Sequence, residues 1–91
     1  MTRILVKGSE AAVPNTVGAA SSFSEATVVR LANASTTDYV ITVAENNGGS
    51  ATIGTFTMLA NTSELIEKNS TDVVFVNSGS DVKGTKVGFT N

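Results

Sequence analysis

The sequence predicts an all-β protein built as a single antiparallel β-sandwich of about seven strands, and three observations support this. From residue 27 onward, short runs rich in Val, Ile, Thr and Phe alternate in polarity along the chain. Turn-forming Asn, Asp, Ser, Thr and Gly separate these runs at intervals typical of a sandwich. The chain has 91 residues and no cysteine, so one small core must be held by packing alone.

The first 26 residues are less regular than the rest. Residues 2–7 predict a short strand, and residues 11–13 predict a second one at a sheet edge, because Pro14 lacks an N–H donor. Residues 8–26 are rich in Ala and Ser, which leaves two interpretations: a linker, or an arm that becomes ordered on a neighbouring subunit. We therefore divide the chain into an N-terminal strand and arm, residues 1–26, and a sandwich core, residues 27–91, within one compact domain.

The core segment contains six predicted strands. They are residues 27–33, 39–43, 54–61, 65–68, 72–77 and 82–90. Period-2 alternation places Val29 and Leu31 on the core face of the first of these strands and Phe56 and Met58 on the core face of the third. Asn and Gly at residues 46–50 predict a tight hairpin turn.

The last two strands carry more specific expectations. Residues 72–77 form the most apolar run, which predicts a strand in the centre of a sheet. In the final strand we expect Val87 and Phe89 to face the core, with Gly84 and Gly88 on the opposite face.

The sequence offers little material for catalysis. Without His or Cys, the Ser–His and Cys–His nucleophilic pairs are excluded. Glu64 and Glu67 lie three residues apart on a strand and so point to opposite faces, which is typical of charges that protect a sheet edge. No segment has the spacing of a calcium loop or a phosphate loop. We therefore expect no enzyme activity, no catalytic residues, no metal and no cofactor.

The charge distribution bounds the class of partner. The formal net charge is −2, and the six Lys and Arg residues are scattered, so no basic stripe for nucleic acid is present. No apolar stretch approaches the roughly 20 residues that cross a bilayer, and no signal-peptide pattern occurs at the N-terminus. A protein partner, without nucleic acid or membrane, is the expectation that remains, with synthesis in the cytoplasm.

One pattern resembles a known family of modules. Residues 54–61 followed by 65–68 resemble the strand–corner–strand pattern of immunoglobulin-like sandwiches, Gly-x-Phe-x-Leu-x-Pro-Gly and then an amphipathic strand. The chain departs from it by lacking the Pro-Gly corner, the disulfide and the buried Trp of antibody-type domains. Taken whole, the small Thr-, Ser- and Asn-rich chain without cysteine resembles small virion proteins of tailed bacteriophages, such as capsid decoration (cement) proteins.

The resemblance implies a function and a location. The protein would be a non-enzymatic structural component of the virion, made in the host bacterial cytoplasm and bound to the capsid exterior. Its partners would be the major capsid protein or other virion subunits, in a homo-oligomer or another symmetric assembly. Two alternatives stay open: a neck, tail or fibre subunit, and a module that binds carbohydrate or a host surface.

The N-terminal part is the expected source of partner contacts. It would add a strand to a neighbour or lie in a groove between subunits. The candidate contact residues are Ile4, Leu5, Val6, Val13 and Phe23.

Overall fold

The computed structural model describes residues 3–16, 20–45 and 51–90, with the side chain of Thr90 left aside. These residues form eight strands and no helix: β1 (Arg3–Val6), β2 (Ala11–Ala12), β3 (Val28–Asn33), β4 (Tyr39–Ala44), β5 (Thr52–Met58), β6 (Thr62–Glu67), β7 (Val73–Val76) and β8 (Val82–Thr90). The predicted all-β class is confirmed. The predicted turn at residues 46–50 lies outside the described residues.

The strands form two antiparallel sheets packed face to face. The first has the order β1-β8-β3-β6, with β2 also paired to β8, and the second has the order β5-β4-β7. Val29, Leu31, Ile41, Met58 and Val74 are fully buried between the sheets. The predicted antiparallel β-sandwich is therefore confirmed, and so is the alternation that places Val29 and Leu31 inward.

The pairing order is that of a jelly roll. The last strand, β8, lies between β1 and β3, and β4 lies between β5 and β7. The free side of β7 is bonded by the backbone of Ser21 and Pro14, which completes the second sheet. In an immunoglobulin domain the first and last strands belong to different sheets. Here β1 and β8 are neighbours in the same sheet. The order β1-β8-β3-β6 facing β5-β4-β7 is that of a jelly roll, with Pro14 and Ser21 beside β7 in place of a second strand, while β2 itself pairs with β8.

The facing of β8 differs from the prediction. Leu31 of the core face of β3 lies opposite Gly84, and Arg30 of the outer face lies opposite Thr85. Val82 and Gly84 therefore face the core, while Val87 and Phe89 lie on the outer face, where Val87 is nevertheless buried at 3% exposed. Phe89 is 51% exposed. The period of the alternation was predicted correctly and its phase was wrong, because the core position of this strand is occupied by a glycine.

The predicted central position of residues 72–77 is also wrong. In the second sheet β4 is central and β7 is the outer strand of the three. Val73, Val74 and Val76 are nevertheless buried. The free edge of β7 is covered by Pro14 and Ser21: Val76 N–H donates to Pro14 O at 2.9 Å, and Val74 N–H donates to Ser21 O at 2.8 Å. Residues 72–77 are apolar because this segment helps to bury β7 although it is an outer strand.

The N-terminal segment closes one side of the sandwich. Val13 and Phe23 belong to the same buried cluster as the strands, so the segment packs on its own core. The Phe23 ring lies against Gly84, where a Cβ would come within 2.6 Å of the ring. Because that separation is far below ordinary contact, the ring can occupy this position only over a glycine.

A left-handed turn delivers Phe23 to this position. Phe23, Ser24 and Glu25 have φ values of 53°, 58° and 57°. The turn is stabilised by Ser22, whose carbonyl accepts from Ala26 N–H at 3.1 Å and whose hydroxyl accepts from Glu25 N–H at 3.2 Å. Left-handed backbone costs about 1–2 kcal/mol per residue when a Cβ is present. The segment therefore carries strain that packing of Phe23 and its neighbours must offset.

Substitution of Gly84 tests the ring contact. We expect Gly84→Ala to lower the free energy of unfolding by about 2–3 kcal/mol, because the new methyl group overpacks the site against Phe23. Gly54→Ala is the matched control, since a Cβ at Gly54 meets nothing within 4 Å. That control should change stability by less than about 1 kcal/mol, with alanine favoured over glycine in a strand. Urea unfolding measures both; equal losses would contradict the contact.

Substitution of Ser24 tests the strain. Ser24 is exposed and has positive φ, so Ser24→Gly should raise the free energy of unfolding by about 0.5–1 kcal/mol. Ser24→Ala keeps a Cβ in the left-handed region and should not stabilise the protein. A stabilising alanine with a neutral glycine, measured by the same urea titration, would show that residue 24 is unstrained.

Candidate interaction surface

The two chain ends form an exposed apolar ribbon. Along β8, β3 pairs with residues 82–86 and β1 pairs with residues 87–90, so β1 and the end of β8 continue beyond β3 as two strands. Ile4, Leu5, Val6 and Phe89 on this ribbon are 43%, 50%, 66% and 51% exposed. Two strands alone are marginally stable in water, and clustered exposed apolar side chains mark interaction sites. We call this set the edge ribbon.

The two faces of the edge ribbon differ. Ile4 lies opposite Phe89 and Val6 opposite Val87, which places all four on the outer face of the first sheet. Arg30 and Glu10 also line a depression on this face. Leu5 lies opposite Gly88 and therefore points to the other face, the one that further along the sheet covers the core. The ribbon thus offers an apolar outer face, Leu5 on the inner face, and the edge of β1 that does not pair with β8.

The structure separates the residues expected to contact a partner. Ile4, Leu5 and Val6 lie together on the edge ribbon. Val13 is 1% exposed and Phe23 is 8% exposed, and both contribute to the core. Their burial removes them from the surface available to a partner in this fold. Phe89, predicted to face the core, takes their place on the surface, because β1 pairs with β8 and brings Ile4 opposite it.

A second apolar feature lies on the opposite side of the sandwich. β5 and β6 are the edge strands of their sheets there, and residues 59–61 connect them at one end. Towards the other end a groove of about 630 Å³ opens between them, which we call the side groove. Its apolar lining is Val43, Ile53, Phe56 and Ile66, and Gly54 faces it with empty space where a Cβ would be. Among the described residues, none fills this side as Phe23 fills the other.

The end of the side groove is polar. Lys68 is buried, and its ammonium donates to the carbonyls of Ala26, Asn69 and Ser70 at 2.7, 3.2 and 3.4 Å. Burial lowers the pKa of Lys68, and the nearby carboxylates of Asp72 and Glu25 partly oppose this shift. Asp72 is also buried and accepts from Asn69 N–H at 3.2 Å. The geometry assigns Lys68 a structural role, since its ammonium joins the 26–27 segment to the turn after β6.

Tyr39 anchors the turn before β8. Its ring is buried, and its hydroxyl reaches the surface and donates to Asp81 Oδ2 at 2.5 Å. The hydrogen bond to the Asp81 carboxylate raises the pKa of Tyr39, with smaller contributions from desolvation and from the charge of Asp81. Gly79, at φ 73°, approaches the ring so closely that a Cβ would lie 3.1 Å from the hydroxyl oxygen. This cluster fixes a turn.

Asn33 performs a similar task at the neighbouring β3–β4 turn. It is 1% exposed, and its amide donates to Thr37 O at 2.8 Å and to Leu59 O at 3.3 Å. Its Oδ1 accepts from both the backbone and the hydroxyl of Ser35, at 3.1 and 2.7 Å. These four bonds tie the β3–β4 turn to the β5–β6 connection. A buried amide satisfied in this way is a structural group.

The described residues supply no arrangement typical of a reaction centre. Among them, no three Asp or Glu side chains come together as metal ligands would. The buried polar groups of this part of the chain all have hydrogen-bond partners, so none is left poised toward a ligand. No helix long and apolar enough to span a bilayer occurs in the described ranges. The edge ribbon and the side groove are apolar surfaces that a partner could contact.

Comparison with known proteins gives no relative. No protein family matches the chain, and neither the curated proteins nor the solved structures contain a match to it.

The Tyr39 hydrogen bond predicts a pH dependence. Because the folded pKa lies above the unfolded value of 10.0, the bond contributes fully below pH 10 and is lost as pH rises through the folded pKa. Lys68 acts in the opposite sense: its folded pKa lies below 10.5, so its burial becomes less unfavourable as pH rises through that window. Tyr39→Phe should therefore reduce the alkaline loss of stability relative to the parent protein.

Urea unfolding between about pH 8 and 11 measures this effect. Asp81→Asn is the matched control, because it keeps a side chain able to accept the hydroxyl bond but removes the carboxylate charge. It should lie between the parent and Tyr39→Phe. An unchanged alkaline slope in Tyr39→Phe would show that the hydroxyl bond does not couple to folding.

Proposed function

We propose that the protein is a non-enzymatic structural subunit of a bacteriophage virion, a decoration (cement) protein that binds the capsid exterior. The observation that carries the proposal is the edge ribbon, which presents Ile4, Val6 and Phe89 to solvent on one face. Exposed apolar side chains on a strand edge are costly in a free monomer and useful in an assembly. A rigid sandwich with such an edge suits a subunit that adds to a larger surface.

The fold and the surface chemistry support the same proposal. Jelly rolls recur in viral capsid proteins and in lectins, which is analogy at the level of fold alone. The formal net charge of −2 with polar Ser, Thr and Asn on the exterior allows close packing of many copies with few buried charges. On a symmetric particle, modest binding energy per copy is summed over many sites.

A carbohydrate-binding role has less support. Sugar sites commonly stack exposed aromatic rings against the ligand, and Phe89 is the exposed aromatic residue of the described segments. Its neighbours on the ribbon are Ile4 and Val6, which are aliphatic. These aliphatic neighbours favour a protein surface as the partner.

Quantitative mass spectrometry of purified virus particles that contain the protein tests the location. A ratio near one copy per major capsid subunit, or a simple fraction of it, supports decoration. A few copies up to about a dozen per particle would place the protein in the neck, tail or fibre. Absence from particles would overturn the proposal.

Substitutions on the edge ribbon test the surface itself. We expect Val6→Asp to abolish binding to particles stripped of the protein while leaving the fold intact, because Val6 is 66% exposed. Leu59→Asp is the matched control, since Leu59 is 56% exposed and lies away from the ribbon. Co-sedimentation with particles measures binding, and circular dichroism checks the fold. Equal binding by both variants would show that the ribbon is not the contact. Removal of residues 2–22 is a poorer test, because it also removes core residue Val13.

A further inference from the structure

The first sheet ends in two edges that are related in a simple way. Its order is β1-β8-β3-β6, and each neighbouring pair is antiparallel. Three antiparallel steps separate β1 from β6, so these two edge strands run in opposite directions. A second copy of the chain in the same orientation would therefore present its β1 antiparallel to β6, the more favourable strand arrangement.

We propose that β1 of one copy pairs with β6 of the next, so that the first sheet continues from copy to copy. This inference names the partner of the edge ribbon and rests on the proposed structural role. Keeping the faces of the sheet continuous allows only every second register. Among these we choose the one that places Leu5 opposite Ile66 and Lys7 opposite Glu64. On the outer face Val6 lies opposite Leu65 and Ile4 opposite Glu67; on the inner face Leu5 lies opposite Ile66 and Lys7 opposite Glu64.

The side groove supports this register. Ile66 lines the groove and packs against the core. It lies opposite Val29 of β3, so its side chain is on the inner face of β6. Leu5 of the added strand, lying opposite Ile66, would point between the sheets towards Val43, Phe56 and the empty space at Gly54. The 50% exposed Leu5 and the groove that the described residues leave open would then cover each other.

One cross-strand charge pair favours this partner. The incoming strand is flanked by Arg3 and Lys7, and the receiving strand carries Glu64 and Glu67. Lys7 is placed opposite Glu64, a cross-strand pair of opposite charge. Arg3 falls opposite Lys68, which carries the same charge; the Lys68 ammonium donates to the Ala26 carbonyl and has the Asp72 carboxylate near it. The other free edge on this side, β5, carries no charged residue to match the strand.

The outer face of the ribbon stays available in this arrangement. Ile4, Val6 and Phe89 share a face, whereas the proposed pairing uses the strand edge and Leu5. Consecutive copies would present these faces on the same side of one continuous sheet. A row of apolar faces could then lie on a larger surface while the edges join neighbour to neighbour.

Cysteine trapping tests the register, and the absence of native cysteine makes it specific. Single variants are mixed in equal amounts, one of them labelled with ¹⁵N so that mass spectrometry identifies the mixed disulfide. The matched pairs are Val6→Cys with Leu65→Cys and Lys7→Cys with Glu64→Cys. They occupy successive positions of the ladder, so one of them is the closer, non-hydrogen-bonded type. The off-register control is Val6→Cys with Glu64→Cys, whose side chains would point to opposite faces.

We expect at least one matched pair to exceed the control by about tenfold in mixed disulfide. Lys7→Glu and Glu64→Lys should each weaken self-association about two- to fivefold in sedimentation equilibrium, and the double variant should restore it. Equal trapping in matched and control pairs, no restoration in the double variant, or a monomer up to about 1 mM would each overturn the inference.

The same variants separate this inference from the proposed function. Particles that carry the protein at a simple ratio to the capsid subunit, with no matched disulfide between bound copies, would retain decoration and remove the edge pairing. Matched disulfides in solution with no protein on particles would retain the pairing and remove decoration.

Discussion

The packing of Phe23 over Gly84 is the contact on which the rest of the structure depends. It holds the N-terminal segment against the sandwich and brings Val13, Pro14 and Ser21 to positions where they cover β8 and the edge of β7. Burying a phenylalanine contributes about 1.5–3 kcal/mol, which helps to offset a left-handed turn that would otherwise be unfavourable. Without this contact the edge of β7 would be uncovered. The segment that follows β1 would also lose its attachment to the sandwich.

The same contact makes the sandwich asymmetric. One side is closed by the N-terminal segment, and on the other side, between β5 and β6, the described residues include no side chain that fills the space in the same way. The hydrogen bonds of Asn33 to Thr37 and Leu59 close only the end of that side near the β5–β6 connection. A small domain buries a limited fraction of its surface on folding. Apolar surface left exposed at the side groove and the edge ribbon therefore lowers its stability. Assembly is the route by which such a chain can bury both.

Sequence patterns predicted the parts of the fold that depend on local alternation and not those that depend on pairing. Val29, Leu31 and Met58 face the core as their spacing indicates. The phase of β8 was wrong, because the core position there is Gly84 and hydrophobicity cannot mark a residue that has no side chain. Ile4, Leu5 and Val6 were predicted as contacts and are exposed, whereas Phe89 joins them through a pairing between the chain ends that no local pattern encodes.

The carboxylates on β6 explain how an open edge can be selective. A free strand edge pairs with almost any extended segment, and charges placed along it usually prevent this. Glu64 and Glu67 point to opposite faces of β6, so they oppose apolar or acidic strands approaching in either orientation. A strand that carries a lysine opposite Glu64 escapes that penalty, and β1 is followed by Lys7. Specificity of this kind arises as much from rejecting other strands as from attracting the correct one.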